Sequence, residues 1–213
     1  LASCSAPHQH AFGEWTAGGE TNCIDGATEK RSCDCGAVET RIIPAKGHNF
    51  VDGVCNNCGR GPSEGLEFYS NGDGTCAFIG RGTCTDADIV FPAKSPSGDA
   101  VTKIIGGRFF GDEVLTSVYI PESVIEIPTD AFFAAPNLTS INISPNNTIY
   151  ASVDGVLYNK DLTTLVKYPV AKADTTFDIP ASVTTIGVGA FDYATNLASI
   201  SIPASVRTIE MSA

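Results

Sequence analysis

Four cysteines near the N-terminus have the type and spacing that suit a structural metal ion. Cys55-Asn-Asn-Cys58 is followed by a glycine, which permits the tight turn that brings two sulfurs onto one zinc ion. Cys33 and Cys35 supply a candidate second half-site. A zinc ion held by these four thiolates would add stability that a module of about 60 residues scarcely obtains from its own core.

Disulfides are the competing interpretation of the same region. Six of the eight cysteines lie within the first 58 residues, and an oxidising compartment would pair them. Six cysteines allow 15 connectivities, so the sequence selects none. Cys4 or Cys23 with a histidine is an alternative second half-site for zinc. Farther on, Cys76 and Cys84 flank a predicted strand, glycine-rich turn and strand, which would set the two sulfurs opposite each other as a disulfide or as two buried thiols.

No catalytic constellation accompanies these cysteines. A hydrolase needs a serine or cysteine beside a histidine, or carboxylates that face each other in a cleft. All three histidines fall in the cysteine-rich segment. The acidic residues of the later part occupy positions that we expect to be solvated, among them Asp112, Glu113, Glu122 and Glu126. We therefore expect that the chain is not an enzyme.

The overall charge narrows the choice of partners. The 213-residue chain has 24 acidic and 13 basic residues, a net charge of −11 and no basic cluster. Such a chain repels phosphate backbones and anionic lipid, so we expect no nucleic-acid partner. No apolar run approaches the roughly 20 residues that a transmembrane helix needs. The first residue is Leu1 rather than methionine, so we expect the sequence to be processed or excised from a longer gene product. The cysteine usage fits an exported, extracellular or cell-surface protein better than a cytosolic one, with a cytosolic cysteine-rich metal module as the alternative.

An internal repeat then determines the predicted fold. Leu115-Thr-Ser-Val-Tyr-Ile-Pro and Leu138-Thr-Ser-Ile-Asn-Ile-Ser start 23 residues apart, and Leu197-Ala-Ser-Ile-Ser-Ile-Pro repeats the pattern. Each repeat unit is too small to bury its own apolar side, whereas parallel stacking of the units buries the apolar sides of all of them in one continuous core. A β-sandwich of unrelated strands would not explain the recurrence. We predict parallel strands at 115–120, 138–143 and 197–202 whose apolar residues are buried, namely Leu115, Val118, Ile120, Leu138, Ile141, Ile143, Leu197, Ile200 and Ile202.

Composition also predicts where this repeat region begins and what interrupts it. The segment 59–63, Gly-Arg-Gly-Pro-Ser, is typical of a linker, so we predict a small Cys/His-rich module at 1–62 and a solenoid at 63–213. One interval is 36 residues longer than a single period. Its extra stretch predicts strands at 156–158 and 164–168 joined by a polar Asn-Lys-Asp turn.

These motifs resemble the BspA-like class of leucine-rich repeats, which occur on surface proteins of host-associated bacteria and some parasitic protists. The resemblance covers roughly residues 66–213 and rests on the run Ile-Pro-x-Ser-Val-x-x-Ile, the Ala-Phe pair, the Asn-Leu-Thr-Ser restart and the insertion Val-Asp-Gly-Val-Leu-Tyr-Asn-Lys-Asp. It implies a right-handed, β-rich repeat solenoid with parallel strands and short turns or 3-10 segments. It also implies export, adhesion or host-matrix binding in some members, and no catalytic residues.

The two ends of the chain carry further expectations. The N-terminal part resembles small Cys/His repeats attached to such surface proteins, although Cys33-Asp-Cys35 is shorter than their usual C-x-x-C. At the other end, Ile209-Glu-Met-Ser-Ala213 aligns with the five residues that precede Phe191. We therefore expect the repeat to be C-terminally truncated, with a last coil that is frayed or covered by a neighbouring molecule.

The predicted strands also define a candidate binding face. Residues between the apolar positions should point outward, and stacking should place equivalent ones within ~5 Å of each other. The predicted strip is rich in hydroxyl and amide groups and comprises Ser117, Tyr119, Ser140, Asn142, Thr176, Asp178, Ser199 and Ser201. It suits a host or matrix protein or a glycan, and its few charges predict binding that is insensitive to salt. A passive spacer or stalk, or an accessory module of a larger exported enzyme, is the alternative function. The sequence does not fix the ligand or the oligomeric state.

Overall fold

A computed structural model of the protein describes residues 11–17, 27–43, 50–51 and 54–213. The chain divides into two compact units, Leu1–Gly61 and Pro62–Ala213. Strands and turns make up the described part of both units, and no helix occurs in that part. The predicted β-rich fold class is therefore confirmed.

The described residues of the N-terminal unit form five short strands: β1 (Thr16–Ala17), β2 (Ala27–Ser32), β3 (Val38–Ile43), β4 (Phe50–Val51) and β5 (Val54–Cys55). β1, β2 and β3 form one antiparallel sheet, and β4 pairs with β5. Guanidinium groups lie over the Trp15 ring, with Arg31 at 4.6 Å and Arg41 at 4.4 Å from its centroid. Arg31 also pairs across the strands with Glu39, and Arg41 with Glu29. Cation–π contacts and ion pairs therefore hold this sheet together.

The C-terminal unit is built from thirteen strands: β6 (Glu67–Ser70), β7 (Thr75–Gly80), β8 (Asp88–Val90), β9 (Ala100–Ile104), β10 (Ser117–Ile120), β11 (Ser140–Ile143), β12 (Tyr150–Val153), β13 (Val156–Asn159), β14 (Thr164–Lys167), β15 (Thr176–Asp178), β16 (Thr185–Ile186), β17 (Ser199–Ser201) and β18 (Thr208–Ile209). From β14 onward, consecutive strands along the chain fall in different sheets, since β15 and β17 form one sheet and β14, β16 and β18 belong to another. This is the arrangement of a repeat solenoid.

The 23-residue period of the sequence appears directly as strand register. β8, β10 and β11 form a parallel sheet, here called the N-terminal ladder, in which Ser117 lies opposite Ser140. β15 and β17 form a second parallel sheet, the C-terminal ladder, in which Thr176 lies opposite Ser199. Further parallel pairs join β7 to β9 and connect β14, β16 and β18. Each coil thus satisfies its backbone against the next one.

Stacked aromatic rings fill the core between these sheets. Phe109 lies between Phe78 and Phe132, at centroid distances of 5.3 and 5.7 Å and interplanar angles of 17° and 13°. All three rings are buried, as are the predicted apolar residues of β10 and β11 and the two leucines that precede these strands. The repeat-derived prediction of the core is confirmed for these coils.

The insertion after β11 forms the predicted two strands and one more. β13 and β14 pair in antiparallel fashion, and β12 adds an antiparallel partner to β13. The turn between β12 and β13 places Asp154 and Gly155 at φ 49° and 74°. Such a pair of positive φ values is typical of a tight hairpin turn. We call β12, β13 and this turn the β12–β13 hairpin.

The last coil differs from the prediction. Leu197 is only half-buried, and Ile200 and Ile202 are 36% and 54% exposed. In the other coils the following coil covers the equivalent side chains, whereas no described coil stacks on this one. Burial in a solenoid comes from neighbours rather than from the repeat itself, so the same sequence pattern gives different exposure here.

Candidate binding surface

The N-terminal ladder presents a row of polar side chains that begins with a carboxylate. Asp88, Ser117 and Ser140 lie in register on its three strands. The Ser117 hydroxyl donates to Asp88 Oδ1 at 2.6 Å, and the Thr116 hydroxyl donates to the same oxygen at 2.9 Å. Asn142 Nδ2 donates to Ser140 Oγ at 3.2 Å. This row can exchange hydrogen bonds with a ligand, and Asp88 adds a charge that the sequence prediction lacked.

Tyr119 is less accessible than this half-buried row. The residue is only 7% exposed, so the expectation that its ring is accessible to a ligand is wrong. Burial raises the pKa of Tyr119, and a hydrogen bond with Ser144 opposes that rise. Ser144 in turn donates to Glu122 Oε2 at 3.0 Å. Ser144 comes just after β11, so this hydrogen bond joins Tyr119 to the next coil, and the sequence alternation of β10 gives no sign of that contact.

The C-terminal ladder carries the more accessible half of the predicted residues. Thr176 lies opposite Ser199, and Asp178 lies opposite Ser201. All four residues are exposed. Three hydroxyls and one carboxylate therefore face solvent in a regular array fixed by the backbone.

The two ladders are not one continuous strip, which corrects the prediction. The free edge of β11 is occupied by the β12–β13 hairpin: Ile141 N donates to Gly155 O at 2.8 Å, and Ile143 N donates to Ser152 Oγ at 3.0 Å. β15 consequently pairs with β17 and not with β11. Ser117, Ser140 and Asn142 thus belong to one surface, and Thr176, Asp178, Ser199 and Ser201 to another.

The candidate zinc ligands have only part of the expected arrangement. Cys55 and Cys58 lie in a tight turn in which Gly59 N donates to Cys55 O at 2.7 Å, with Gly59 at φ 72°. This is the backbone shape that a Cys-x-x-Cys-Gly metal turn needs. Cys33 and Cys35 lie in a separate turn closed by Gly36 N and Cys33 O. Within the described ranges, no three His, Cys, Asp or Glu side chains converge as a metal site.

The zinc site therefore stays a prediction. Cys4, Cys23 and the three histidines, which were the other candidate ligands, lie outside the described residues. Cys76 and Cys84 are buried thiols rather than a disulfide. Cys84 follows a turn instead of lying on a strand opposite Cys76, because β7 pairs with β6 and β9 on its two edges.

Sequence reasoning missed a set of exposed aromatic residues on the turns that precede β10, β11 and β17. Phe110 and Tyr193 are 67% and 55% exposed, and Phe133 is half-buried between them. The available signal was the Phe-Phe doublet, which occurs at 109–110 and again 23 residues later. The first phenylalanine of each doublet fills the core, so the second one points away from it.

Comparison with known proteins agrees with this geometry. The model of the BspA type leucine-rich repeat region matches residues 94–168 and 171–213, with six copies of the repeat. The chain belongs to the BspA-type leucine-rich repeat family. Its repeats span more than half of the sequence and include every strand of both ladders except β8. Family membership supports a repeat-based binding protein. No curated protein matches the chain.

Several solved structures resemble this BspA-type chain. A leucine-rich repeat protein from Eubacterium ventriosum shares 33% identity over 57% of the chain, with a TM-score of 0.47. The T. pallidum leucine-rich repeat protein shares 17% identity over 71% of the chain and 81% of its own length, with a TM-score of 0.46. A leucine-rich cell surface protein from Faecalibacterium prausnitzii shares 18% identity over 70% of the chain and 75% of its own length, with a TM-score of 0.36.

The chain spans 31% of the E. ventriosum protein and 35% of the pneumococcal antigen PcpA, another matched structure. The matched family and the E. ventriosum and T. pallidum structures are leucine-rich repeat proteins. In the described part of the chain, no helix is long and apolar enough to cross a membrane.

Proposed function

We propose that this protein is an extracellular or cell-surface binding protein that holds an extended host or matrix polypeptide or glycan along the polar faces of its two ladders. The observation that carries the proposal is the register of the C-terminal ladder. There, Thr176 and Ser199, and Asp178 and Ser201, stand side by side and exposed on parallel strands. Neighbouring strands lie about 4.8 Å apart, so a ligand that crosses them meets a repeated array of donors and acceptors.

The polar side chains of the C-terminal ladder are not needed to pack the core. These side chains contribute little to the core, because the buried residues of the same coils are apolar. Net contributions of about 0.5–1.5 kcal/mol per hydrogen bond mean that several equivalent bonds are needed for useful affinity, which a repeated face supplies. The N-terminal ladder adds Ser140 and Asn142, which are half-buried and already bonded to each other. We therefore assign the main contacts to the C-terminal ladder.

Binding of the purified chain to host matrix proteins and to a glycan array tests the proposal. The variant Thr176→Ala/Ser201→Ala removes hydroxyls without changing charge and should lower affinity about tenfold for a ligand bonded to both. Ser182→Ala, which removes an exposed hydroxyl outside the ladders, is the matched control and should bind as the parent does. If the unmodified protein binds none of the matrix proteins and none of the glycans, the result would support a spacer role instead.

A further inference from the structure

Three aromatic side chains form a continuous exposed row along the turns of the solenoid. The Phe110 and Phe133 rings stack at a centroid distance of 5.9 Å and an interplanar angle of 15°. Tyr193 meets Phe133 at 5.3 Å in a T-shaped contact. We call Phe110, Phe133 and Tyr193 the aromatic row. Two of its three rings are more than half exposed, whereas scattered single exposed aromatics are the ordinary case on a protein surface.

Core packing does not explain the aromatic row. The core is filled by the preceding residues, Phe109 and Phe132, which are buried and stacked on each other. A polar residue at position 110 or 133 would leave that inner stack intact. The outer rings therefore contribute surface rather than core.

Backbone conformation adds a second observation at Tyr193. This residue has φ 62°, in the left-handed region, and matching turns place Gly111 there at φ 67° and Ala134 at φ 50°. A non-glycine residue in this region costs of order 1 kcal/mol, and such costs concentrate at functional positions. Here the strained position carries the ring that extends the row beyond Phe133.

The turns that carry the row are acidic. Glu113, Asp130 and Asp192 lie in them, together with the basic residue Arg108. The buried Lys167 ammonium also reaches the turn of Asp192, where it donates to Gly189 O at 2.7 Å and to Asp192 O at 3.5 Å, so the carboxylates still outnumber the cations. A fourth acidic residue, Asp112, pairs with Arg81 at 2.8 Å. Exposed ring faces together with nearby carboxylates attract cations, guanidinium groups above all.

The N-terminal unit shows that this chain already uses the same combination. Arg31 lies 4.9 Å from the Phe12 ring centroid and 4.6 Å from that of Trp15, while it pairs with the carboxylate of Glu39. Ring, guanidinium and carboxylate thus form one set of contacts. The aromatic row offers rings and carboxylates without an arginine of its own over the rings in the described structure.

We propose that the aromatic row is a docking surface for a basic polypeptide segment whose arginine side chains lie over Phe110 and Tyr193 while the neighbouring carboxylates balance their charge. This deepens the proposed binding function and rests on it in assigning a polypeptide partner. It uses a surface distinct from the polar ladders. The net charge of −11 for the whole chain favours the same class of partner.

A labelled nona-arginine peptide is the probe, with nona-citrulline as its neutral isostere, and fluorescence anisotropy measures binding at physiological salt. The variants are Phe110→Ala, Tyr193→Gly and the double variant. Tyr193→Gly keeps the fold because glycine suits φ 62°. Tyr69→Ala is the matched control, since Tyr69 is 64% exposed on β6 and outside the row.

The double variant should lower nona-arginine affinity about tenfold with no change in protein charge, which corresponds to two exposed cation–π contacts. Tyr69→Ala should leave the affinity unchanged, and nona-citrulline should bind at least tenfold more weakly than nona-arginine. Equal nona-arginine binding by the double variant and the parent overturns the proposal, as does equal binding of the two peptides. The ladder variant Thr176→Ala/Ser201→Ala should retain peptide binding, so failure of the ladder proposal and failure of this one give different results.

Discussion

The amide of Ile141 donates a hydrogen bond to the carbonyl of Gly155 at 2.8 Å, and this contact ends the N-terminal ladder. In a regular solenoid the free edge of β11 would receive the strand of the next coil. Here the β12–β13 hairpin occupies that edge, and β15 starts a new ladder with β17. The insertion therefore divides the polar face into two shorter surfaces.

Gly155 should tolerate no side chain. An added Cβ would lie 2.8 Å from Ser140 Cβ and 3.2 Å from its Cα, at φ 74°. We expect Gly155→Ala to lower the free energy of unfolding by roughly 2–3 kcal/mol, since steric conflict adds to backbone strain. Gly72→Ala is the matched control, because Gly72 has φ 81° and open space around it, and should cost about 1 kcal/mol. Urea denaturation measures both, and equal losses would argue against the close packing.

Asn147 should stabilise the solenoid far more than its neighbour. It is fully buried, its Nδ2 donates to Pro121 O at 3.1 Å and Val124 O at 2.8 Å, and its Oδ1 accepts from two amides. Asn147→Ala leaves these groups without partners, so we expect a loss of roughly 2–4 kcal/mol. Asn146→Ala, at an exposed position, should stay within about 0.5 kcal/mol of the parent in the same thermal melts. A small effect at Asn147 would contradict its role as a link between coils.

Alkaline pH should destabilise the fold through Tyr158. Burial, reinforced by the charge of Asp154, raises the pKa of Tyr158 from 10.0 to about 12. Between these values the folded state keeps a proton that the unfolded state releases, so stability is complete below pH 10 and falls as pH rises towards 12. The fall from this residue should approach 2–3 kcal/mol, about 1.4 kcal/mol for each pKa unit. Denaturation at stepped pH should show a shallower fall for Tyr158→Phe, and identical profiles would refute the assignment.

Metal content remains the test of the N-terminal cysteines. If Cys33, Cys35, Cys55 and Cys58 hold zinc, native mass spectrometry should show about one zinc ion per chain. Chelation should then loosen residues 1–60 while the solenoid persists, which hydrogen exchange measures segment by segment. The turn that Gly59 closes on Cys55 supports this expectation. Three cystine pairs without metal would eliminate it.

Period and apolar spacing predict local pairing well in this chain. The spacing from Leu115 to Leu138 corresponds to one coil, and their strands are in register and buried as expected. The Phe-Phe doublets contained a similar signal, because the outer aromatics at 110 and 133 follow the same 23-residue period. These features are predictable because they arise from contacts between equivalent positions of neighbouring repeats, which recur with the period of the sequence.

Features that depend on an irregular neighbour were not predictable. Tyr119 alternates like an outward residue, yet it is buried and its hydroxyl is hydrogen-bonded to Ser144, which follows the strand of the next coil. Ile202 has the pattern of a core residue and is exposed, because no described coil stacks on it. Of the hairpin that divides the ladders, β13 could be identified as a strand and β12 could not, and its docking on β11 rests on a turn carbonyl at Gly155 that carries no sequence pattern.

Cysteine cross-linking tests the divided ladder most directly. Register partners on parallel strands have Cα atoms about 4.8 Å apart, within disulfide range. The pairs Ser117→Cys/Ser140→Cys and Thr176→Cys/Ser199→Cys should therefore oxidise readily, whereas Ser140→Cys/Thr176→Cys should not, with bonds assigned by peptide mass mapping. A 140–176 bridge that forms as fast as the other two would mean that β15 lies directly on β11, and would contradict the two-ladder account.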